Sequence, residues 1–290
     1  MAVEEVGFFK LSTNNHYPQP HIFTCLAHAI PDVCASFQSD KQYTALFKTL
    51  LQRENGGGEI NISTGEYSDL NQDGDGPEFL NLFLEQYLPK EKEDELASVC
   101  TNFIVPPNPE LHPDRKGSSR PEKLFSLDLS IQKDKAQTLE TCVNKWRETE
   151  LLEGNNSYMY SNGERGDALK GVKMTKLGKS LFSCLFRRYN FDFETFQLKY
   201  DGTHVKFPFS FLAQDVFPDL CAEDQDTTLN LVAILTYRPG KGYGCAVYWH
   251  GDWWKIDKSN TVKVENAETL VSSDAYMLFY SPDRTPLIKG

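Results

Sequence analysis

The pattern of apolar and polar residues predicts a sheet-rich C-terminal half. Residues 229–237 form a nearly continuous apolar run, which is typical of a central strand buried on both faces. The residues that follow predict an antiparallel meander, with strands at 246–248 and 253–256, a turn at 250–252 between them, and a last buried strand at 275–280. We therefore expect a mainly antiparallel sheet in this half.

The first third of the chain shows helical spacing instead. Apolar residues recur every three or four positions in residues 20–30, which predicts a buried helix that ends at Pro31. Further helices are predicted by the same spacing at 43–51, 79–88 and 138–146. Thr138 is suited to cap the last of these. The fold class is therefore predicted to be α+β.

Composition divides the chain into three regions of one domain. Residues 1–97 are largely helical by pattern, and residues 123–290 are rich in predicted strands. Residues 98–122 lie between them and are turn-rich and polar, with too little apolar surface to order themselves. We predict a surface insertion or mobile loop at 98–122.

Charge and cysteine usage narrow the class of partner. The chain has 290 residues, about 40% of them apolar, and a net charge of −11 without a Lys/Arg cluster. This balance argues against nucleic acid or an anionic membrane as a partner and favours a basic protein surface. No apolar run approaches the roughly 18 residues of a membrane-spanning helix. The acidic first residues and the seven scattered cysteines indicate an intracellular protein.

Several short motifs resemble, in the same order, the motifs of the ubiquitin-specific protease family. Trp253, Asp257 and Val262 match the family's Trp-x-x-Phe-Asp-Asp and Val positions, and residues 275–280 match its Ala-Tyr-x-Leu-Phe-Tyr box. The resemblance implies a papain-like cysteine protease fold with thumb, palm and fingers. The helical region would be the thumb, and the strand-rich region would be the fingers and palm.

The nucleophile that the resemblance implies is missing. In the family, a cysteine stands at the N-terminus of the first helix, where the helix dipole lowers the pKa of the thiol. The two possible alignments place Tyr17 or Asn15 at that position. The first cysteine of the chain is Cys25, about two turns further into the helix, where we expect a small buried hydrophobe.

The family's general-base histidine is missing as well. Alignment on Tyr248 places Gly244 at its position, and alignment on Gly242 places Tyr243 there. Neither side chain accepts a proton near neutral pH in its ordinary state. Of the three catalytic groups, the resemblance leaves only the acid that orients the base, Asp257.

An active thiol hydrolase would therefore need a relocated pair, such as Cys25 or Cys245 with His250. His250 lies in the predicted turn, about 20 Å along an extended strand from the base position, so this alternative requires a changed register. The two histidines nearest the nucleophile position, His16 and His21, are expected in a loop or on the helix surface.

Two acids are candidates for contact with the ubiquitin tail. Residues 75–80 resemble the family's Gln-Gln-Asp-Ala-x-Glu-Phe-Leu box, whose Asp and Glu face the cleft that holds ubiquitin's Arg-containing tail. The resemblance thus assigns tail binding to Asp75 and Glu78, because carboxylates can pair bidentately with arginine. Both residues would serve equally well to cap a helix and complement its dipole, so this alternative stays open.

No cofactor and no metal site is predicted. The family's zinc-binding cysteine pair would fall on Tyr160 and Gly163, which are not zinc ligands. Residues 69–74 are similar to the first half of a calcium-binding EF-hand loop. The bidentate glutamate of such a loop would, however, fall on Leu80.

Three hypotheses for function follow. The favoured one is an inactive family member that still binds ubiquitin, a ubiquitin-like protein or other proteins of a complex. The second is a structural subunit without ubiquitin binding, in which Trp249, Trp253 and Trp254 form a docking surface unless they only pack the sheet. The third is an enzyme with a relocated Cys/His pair. Ubiquitin affinity and turnover distinguish the three.

Overall fold

The structure, a computed structural model, describes ten stretches of the chain. They are residues 10–11, 19–29, 59–60, 80–81, 84–85, 88–132, 135–192, 195–249, 251–257 and 260–282. The helix predicted at 43–51 lies outside these ranges. So do the following residues named above: Asn15, His16, Tyr17, Asp75, Glu78 and His250.

The described stretches form helices and strands in the following order. The helices are α1 (Gln19–Ala29), α2 (Lys90–Leu96), α3 (Leu139–Trp146), α4 (Ala213–Val216) and α5 (Ala222–Gln225). The strands of the first two thirds are β1 (Lys10–Leu11), β2 (Glu59–Ile60), β3 (Ser98–Val105), β4 (Ser118–Leu124), β5 (Leu127–Ser130), β6 (Gln137–Thr138), β7 (Glu150–Leu152), β8 (Tyr158–Met159), β9 (Arg165–Gly166), β10 (Ala168–Lys176), β11 (Phe182–Arg187) and β12 (Tyr189–Asp192). The remaining strands are β13 (Gln197–Tyr200), β14 (Val205–Lys206), β15 (Ser210–Leu212), β16 (Thr228–Arg238), β17 (Gly242–Trp249), β18 (Asp252–Asp257), β19 (Asn260–Val264) and β20 (Ala275–Ser281).

Eight of the described strands form the main sheet. Their order is β19-β18-β17-β16-β20-β11-β5, with β15 paired to β16. β11 and β5 pair in parallel, and the other neighbours in this sheet pair antiparallel. The predicted α+β fold with a mainly antiparallel sheet is confirmed.

The central strand and the meander occur where the apolar pattern predicts them. β16 is buried from Leu229 to Leu235, because helices and loops cover both faces of the sheet. β17, β18 and β19 follow as antiparallel neighbours. The last strand differs from a simple meander: β20 returns to the other side of β16 and lies between it and β11.

A second sheet contains the segment that we predicted as an insertion. Its four described strands have the order β4-β3-β10-β7 and pair antiparallel. Residues 98–122 thus contribute β3 and most of β4, which corrects the prediction of a mobile loop. β4 is exposed along most of its length. Its order therefore comes from backbone pairing with β3 and not from buried side chains, which is why the apolar pattern missed it.

Helix α3 begins as its sequence predicts. The Thr138 hydroxyl accepts a hydrogen bond from the Thr141 backbone N–H at 3.1 Å. The Thr141 hydroxyl in turn accepts from the Thr138 backbone N–H at 2.9 Å, which completes a reciprocal capping box. The helix then buries Leu139, Cys142 and Val143 against the main sheet.

Candidate functional site

The candidate site is the interface between α1 and the main sheet, where the resemblance places the catalytic groups. The four described apolar side chains of α1 that are buried recur at helical spacing and pack on β16, β17 and β20: Ile22, Cys25, Leu26 and Ala29. On β17, Tyr243, Cys245 and Val247 belong to the same core cluster. Side chains alternate along a strand, so Gly244 and Ala246 face the opposite side of the sheet.

Tyr243, one of the two residues at the base position, is part of an aromatic cluster. Its side chain is buried, and its ring lies 4.7 Å from that of Tyr237 and 6.1 Å from that of Tyr276. Tyr237 also receives a 2.7 Å hydrogen bond from the Tyr189 hydroxyl. The base position of this alignment is therefore filled by a packed phenol.

Gly244, the other residue at the base position, is closely bordered by atoms of the two neighbouring strands. It pairs with Thr236 of the neighbouring strand. A Cβ atom at Gly244 would lie 3.0 Å from the Thr236 hydroxyl oxygen and 3.3 Å from the Ile256 carbonyl oxygen. These separations are tighter than ordinary van der Waals contacts, so a histidine here would require its neighbours to shift.

The retained acid lies at the end of β18. Asp257 is exposed and lines a small cavity of about 90 Å³, together with Gly244, Lys255 and Asp274. No histidine is among the described residues that line this cavity. The structure therefore places Asp257, the predicted orienting acid, at the mouth of this cavity.

Three reactive side chains meet beneath α1. Cys25 is fully buried, as predicted, and belongs with Cys245 to the core cluster under α1. His21 is also fully buried and lies beside Cys245, which corrects the prediction of a helix-surface residue. Neither of its ring nitrogens has a well-aligned hydrogen-bond partner among the described residues. His21 is buried because it lies one helical turn before Cys25 and faces the sheet with it.

The two thiols differ in acidity. Burial raises the pKa of the Cys25 thiol well above its ordinary value, and the neighbouring Cys245 adds to the shift. The neighbouring Cys25 lowers the pKa of the Cys245 thiol, and His21 lowers it further, against the opposing effect of burial. Cys245 is thus the thiol of this pair that more readily becomes a thiolate.

The three tryptophans do not share one surface. Trp253 is buried and packs edge-on against Phe209, with ring centroids 5.8 Å apart. Trp254 is half-buried and packs against the core cluster under α1, which is the opposite face of the sheet. Trp249 is also half-buried. It lies on the same face as Trp254, because side chains alternate along β17 and the neighbouring Tyr248 faces the other way. Trp249 and Trp254 therefore remain as candidates for docking, and Trp253 does not reach the surface.

A tight turn occupies the position of the family's zinc-binding pair. The Gly163 backbone N–H donates to the Tyr160 carbonyl oxygen at 2.9 Å, and the turn joins β8 to β9. Gly163 has a φ of 87°, which favours glycine. The Tyr160 hydroxyl donates to the Asp167 carbonyl oxygen at 2.6 Å, and this hydrogen bond stabilises the turn.

Comparison with known proteins gives one curated relative and a large set of similar structures. No protein-family profile matches the chain. Ubiquitin carboxyl-terminal hydrolase 17 of Arabidopsis thaliana is 27% identical over 173 residues, which are 57% of this chain and 23% of that protein. The alignment thus spans less than a quarter of the relative. A solved structure of the SAGA Ubp8/Sgf11/Sus1/Sgf73 DUB module bound to ubiquitin aldehyde matches with a TM-score of 0.71 and 17% identity, over 93% of this chain and 68% of that chain.

The fold and the arrangement of α1, β17 and β18 define the class of protein. The chain has the fold of the ubiquitin-specific proteases. In sequence it resembles that family too, through the motifs of the palm and through its curated relative. In the part that the structure describes, no helix is long and apolar enough to cross a membrane.

Sequence reasoning missed the cluster of His21, Cys25 and Cys245. One part of it was visible, because a spacing of four residues places His21 and Cys25 on the same helix face. Cys25 was expected to be buried, so the same expectation should have applied to His21. The contact with Cys245 joins residues 220 positions apart in the chain, and spacing rules do not report contacts at that separation.

Proposed function

We propose that this chain is a ubiquitin-binding module with the fold of a deubiquitinating enzyme and without hydrolytic activity. The environment of the base position carries the proposal. Tyr243 is packed among other tyrosines, and a Cβ atom at Gly244 would lie only 3.0 Å from the Thr236 hydroxyl oxygen. A cysteine protease needs a thiolate and a base within hydrogen-bonding reach, and neither residue can supply the base.

The nucleophile position supports the same conclusion. The chain has no cysteine before Cys25, and Cys25 is buried with a raised pKa. Loss of either the nucleophile or the base lowers the rate of such an enzyme by several orders of magnitude, and loss of both leaves no nucleophilic route.

Ubiquitin binding is supported by charge and by likeness. The similar solved structure is described as bound to ubiquitin aldehyde. The chain carries a net charge of −11, which suits a basic tail, and Asp75 and Glu78 resemble the family's cleft acids. Each acid would pair with arginine of the tail through charge-assisted hydrogen bonds.

The test is a titration of ¹⁵N-labelled ubiquitin with the purified chain, at low and at physiological salt. We expect saturable shifts that weaken as salt rises, because the contacts are between charged groups. Asp75→Ala and Glu78→Ala should each weaken binding by about tenfold, or about 1.4 kcal/mol. An electrophilic ubiquitin-tail probe, applied to the same protein, should leave no covalent adduct.

A charge-matched control keeps this test specific. Glu140→Ala and Glu223→Ala remove exposed acids from α3 and α5. α3 lies on the opposite face of the main sheet from α1, as does α4, which α5 contacts. Both substitutions should leave the ubiquitin shifts unchanged. If both sets of variants weaken ubiquitin binding equally, the weakening is due to the change in net charge. That result would contradict a tail-binding role for Asp75 and Glu78.

A structural role without ubiquitin binding is the second candidate. It is favoured by Trp249 and Trp254, which lie half-buried on the same face of the main sheet. The similar solved structure is a module of several proteins, which fits a chain that works within an assembly. If ubiquitin shows no chemical-shift changes at millimolar concentration, the result favours this structural role. Trp249→Ala should then weaken binding of the partner protein.

A further inference from the structure

A pocket outside the candidate site lies beside the start of α3. It has a volume of about 440 Å³, and the following described residues line it: Lys135, Ala136, Gln137, Thr138, Thr203, His204 and Lys206. We call it the α3 pocket. Its volume falls within the range of roughly 300–1,000 Å³ that is usual for pockets that hold small ligands. None of these residues takes part in the ubiquitin binding proposed above.

The charge of the α3 pocket is opposite to that of the chain as a whole. Lys135, His204 and Lys206 carry basic side chains, and none of the described lining residues is acidic. The complete chain, in contrast, has 41 acidic residues and 30 lysines and arginines. Within the described stretches, neither Lys135 nor Lys206 forms an ion pair. Their ammonium groups are therefore available to an anionic ligand.

Two short strands bring the segments that carry the lysines together. β6 and β14 pair in parallel, with Lys206 opposite Thr138. The side-chain amide nitrogen of Gln137 donates to the Gln132 carbonyl oxygen at 2.7 Å, and its amide oxygen accepts from the Gln132 backbone N–H at 3.0 Å. These two hydrogen bonds close the loop that carries Lys135. The pairing and the closed loop thus place Lys135 and Lys206 at one pocket.

A buried arginine fixes the segment that carries Thr203 and His204. The Nη1 atom of Arg188 donates to the carbonyl oxygens of Asp201 and Thr203 at 3.0 and 2.9 Å. The Asp201 carboxylate accepts from the Thr203 backbone N–H at 2.9 Å, so this acid is held within its own loop. The Nη2 atom of Arg188 is buried and has no hydrogen-bond partner among the described residues. Buried charged donors are nearly always paired, so an unpaired one next to the pocket wall favours a negative group there.

His204 and the first turn of α3 add further donors. The Nε2 atom of His204 lies 2.9 Å from the Val271 carbonyl oxygen, and it donates to this oxygen because a carbonyl only accepts. The hydrogen bond orients the imidazole and leaves Nδ1 for a ligand, to which a protonated ring donates. Thr138, the N-cap of the eight-residue helix α3, lines the same pocket. The backbone N–H groups at a helix N-terminus favour negative charge.

We propose that the α3 pocket binds a phosphate monoester, with the ammonium groups of Lys135 and Lys206 against the phosphate oxygens. Such a phosphate carries nearly two negative charges at neutral pH and three strong acceptor oxygens. Two separate ammonium groups suit this tetrahedral dianion, whereas a planar carboxylate is matched best by the fork of an arginine. The remaining volume holds the group to which the phosphate is esterified. Small phosphorylated molecules and phosphorylated serine side chains share this chemistry, and the experiment distinguishes these two sources.

The experiment is a calorimetric titration of the full chain in phosphate-free buffer at physiological salt. The probes are glycerol 3-phosphate, a phosphoserine flanked by two glycines on each side, the same peptide without phosphate, and acetate. We expect saturable binding of the phosphate probes with a Kd of about 1 mM or lower, and none of the unphosphorylated peptide. Tighter binding of the phosphopeptide than of glycerol 3-phosphate assigns the pocket to a phosphorylated protein, and the reverse order assigns it to a small molecule. Failure of both phosphate probes to bind up to about 10 mM, or equal binding of acetate, would overturn the proposal.

Charge-removing variants test whether the lysines of the pocket hold the phosphate. Lys135→Met and Lys206→Met keep most of the apolar stem, and each should weaken binding of glycerol 3-phosphate about tenfold. Lys145→Met is the matched control, because Lys145 lies in the last turn of the same helix and pairs with Glu148. The control should leave the Kd unchanged, since salt screens exposed charges at that separation. Equal weakening by all three variants would overturn the proposal. No ubiquitin enters this titration, so phosphate binding and ubiquitin binding can each fail alone.

Discussion

The hydroxyl of Thr236 lies directly across from Gly244, 3.0 Å from the point that a Cβ atom of Gly244 would occupy. The Ile256 carbonyl oxygen closes the other side at 3.3 Å. One of the two positions that could hold the family's histidine is thus packed for glycine by its neighbours on both strands. A histidine at this position would therefore require a change in the surrounding sheet as well as in a single residue.

Restoring a histidine at this position should destabilise the protein without restoring hydrolysis. Gly244→His forces a side chain against Thr236 and backbone of β18, and overpacking of this kind typically costs about 1–3 kcal/mol. Denaturant unfolding gives the free energy, and the ubiquitin-tail probe tests for an adduct. Tyr243→His is the matched control, because it replaces an existing side chain. An unchanged unfolding midpoint for Gly244→His would contradict the packing argument.

The sequence predicts those parts of the fold that bury apolar surface. β16 could be recognised because six of its seven consecutive buried residues are apolar, and α3 because Thr138 is suited to cap it and apolar residues follow at helical spacing. β4 could not, because its side chains are exposed and its order comes from pairing with β3. The sequence also predicts that the nucleophile and base positions lack cysteine and histidine, because that prediction needs only the order of the motifs. The cluster of His21 with Cys245 could not be predicted, because it depends on how α1 packs on the sheet.

The cap of α3 should contribute measurably to stability. Thr138→Ala removes the hydroxyl that accepts from the Thr141 backbone N–H, and loss of such a cap costs about 1 kcal/mol. Thr138→Ser keeps the hydroxyl and should retain most of that free energy. Urea unfolding of the three proteins measures the difference. Equal losses in both variants would place the effect in the methyl group and would contradict the capping role.

The tyrosine cluster around the position of the family's histidine should make the protein less stable at alkaline pH. Burial, followed by the hydrogen bond to Tyr237, raises the pKa of Tyr189 above its ordinary value. A group whose folded pKa is raised contributes stability below its unfolded pKa of about 10, and that contribution is lost as the pH rises above this value. The free energy of unfolding should therefore fall in this range.

Tyr189→Phe isolates this contribution. The variant loses the 2.7 Å hydrogen bond to the Tyr237 hydroxyl, so it should be less stable than the unmodified chain by about 1 kcal/mol at neutral pH. The difference in stability between the two proteins should shrink above about pH 10, because only the unmodified chain has a phenol at this position whose ionisation the folded state disfavours. Unfolding curves at a series of pH values measure it. A difference that stays constant up to high pH would show that the phenol does not resist ionisation.

Arg188 should be the side chain on which the connection between β13 and β14 depends most. It is fully buried, and its guanidinium donates to the carbonyl oxygens of Ala275, Asp201 and Thr203 at 2.8, 3.0 and 2.9 Å. Arg188→Met would remove all three hydrogen bonds from this buried site, at a cost of about 3 kcal/mol. The neighbouring Arg187 gives a matched control: it is exposed and pairs with Asp128, so Arg187→Met should cost less than about 1 kcal/mol. Denaturant unfolding compares the two variants, and equal losses would mean that the buried hydrogen bonds of Arg188 do not hold this connection.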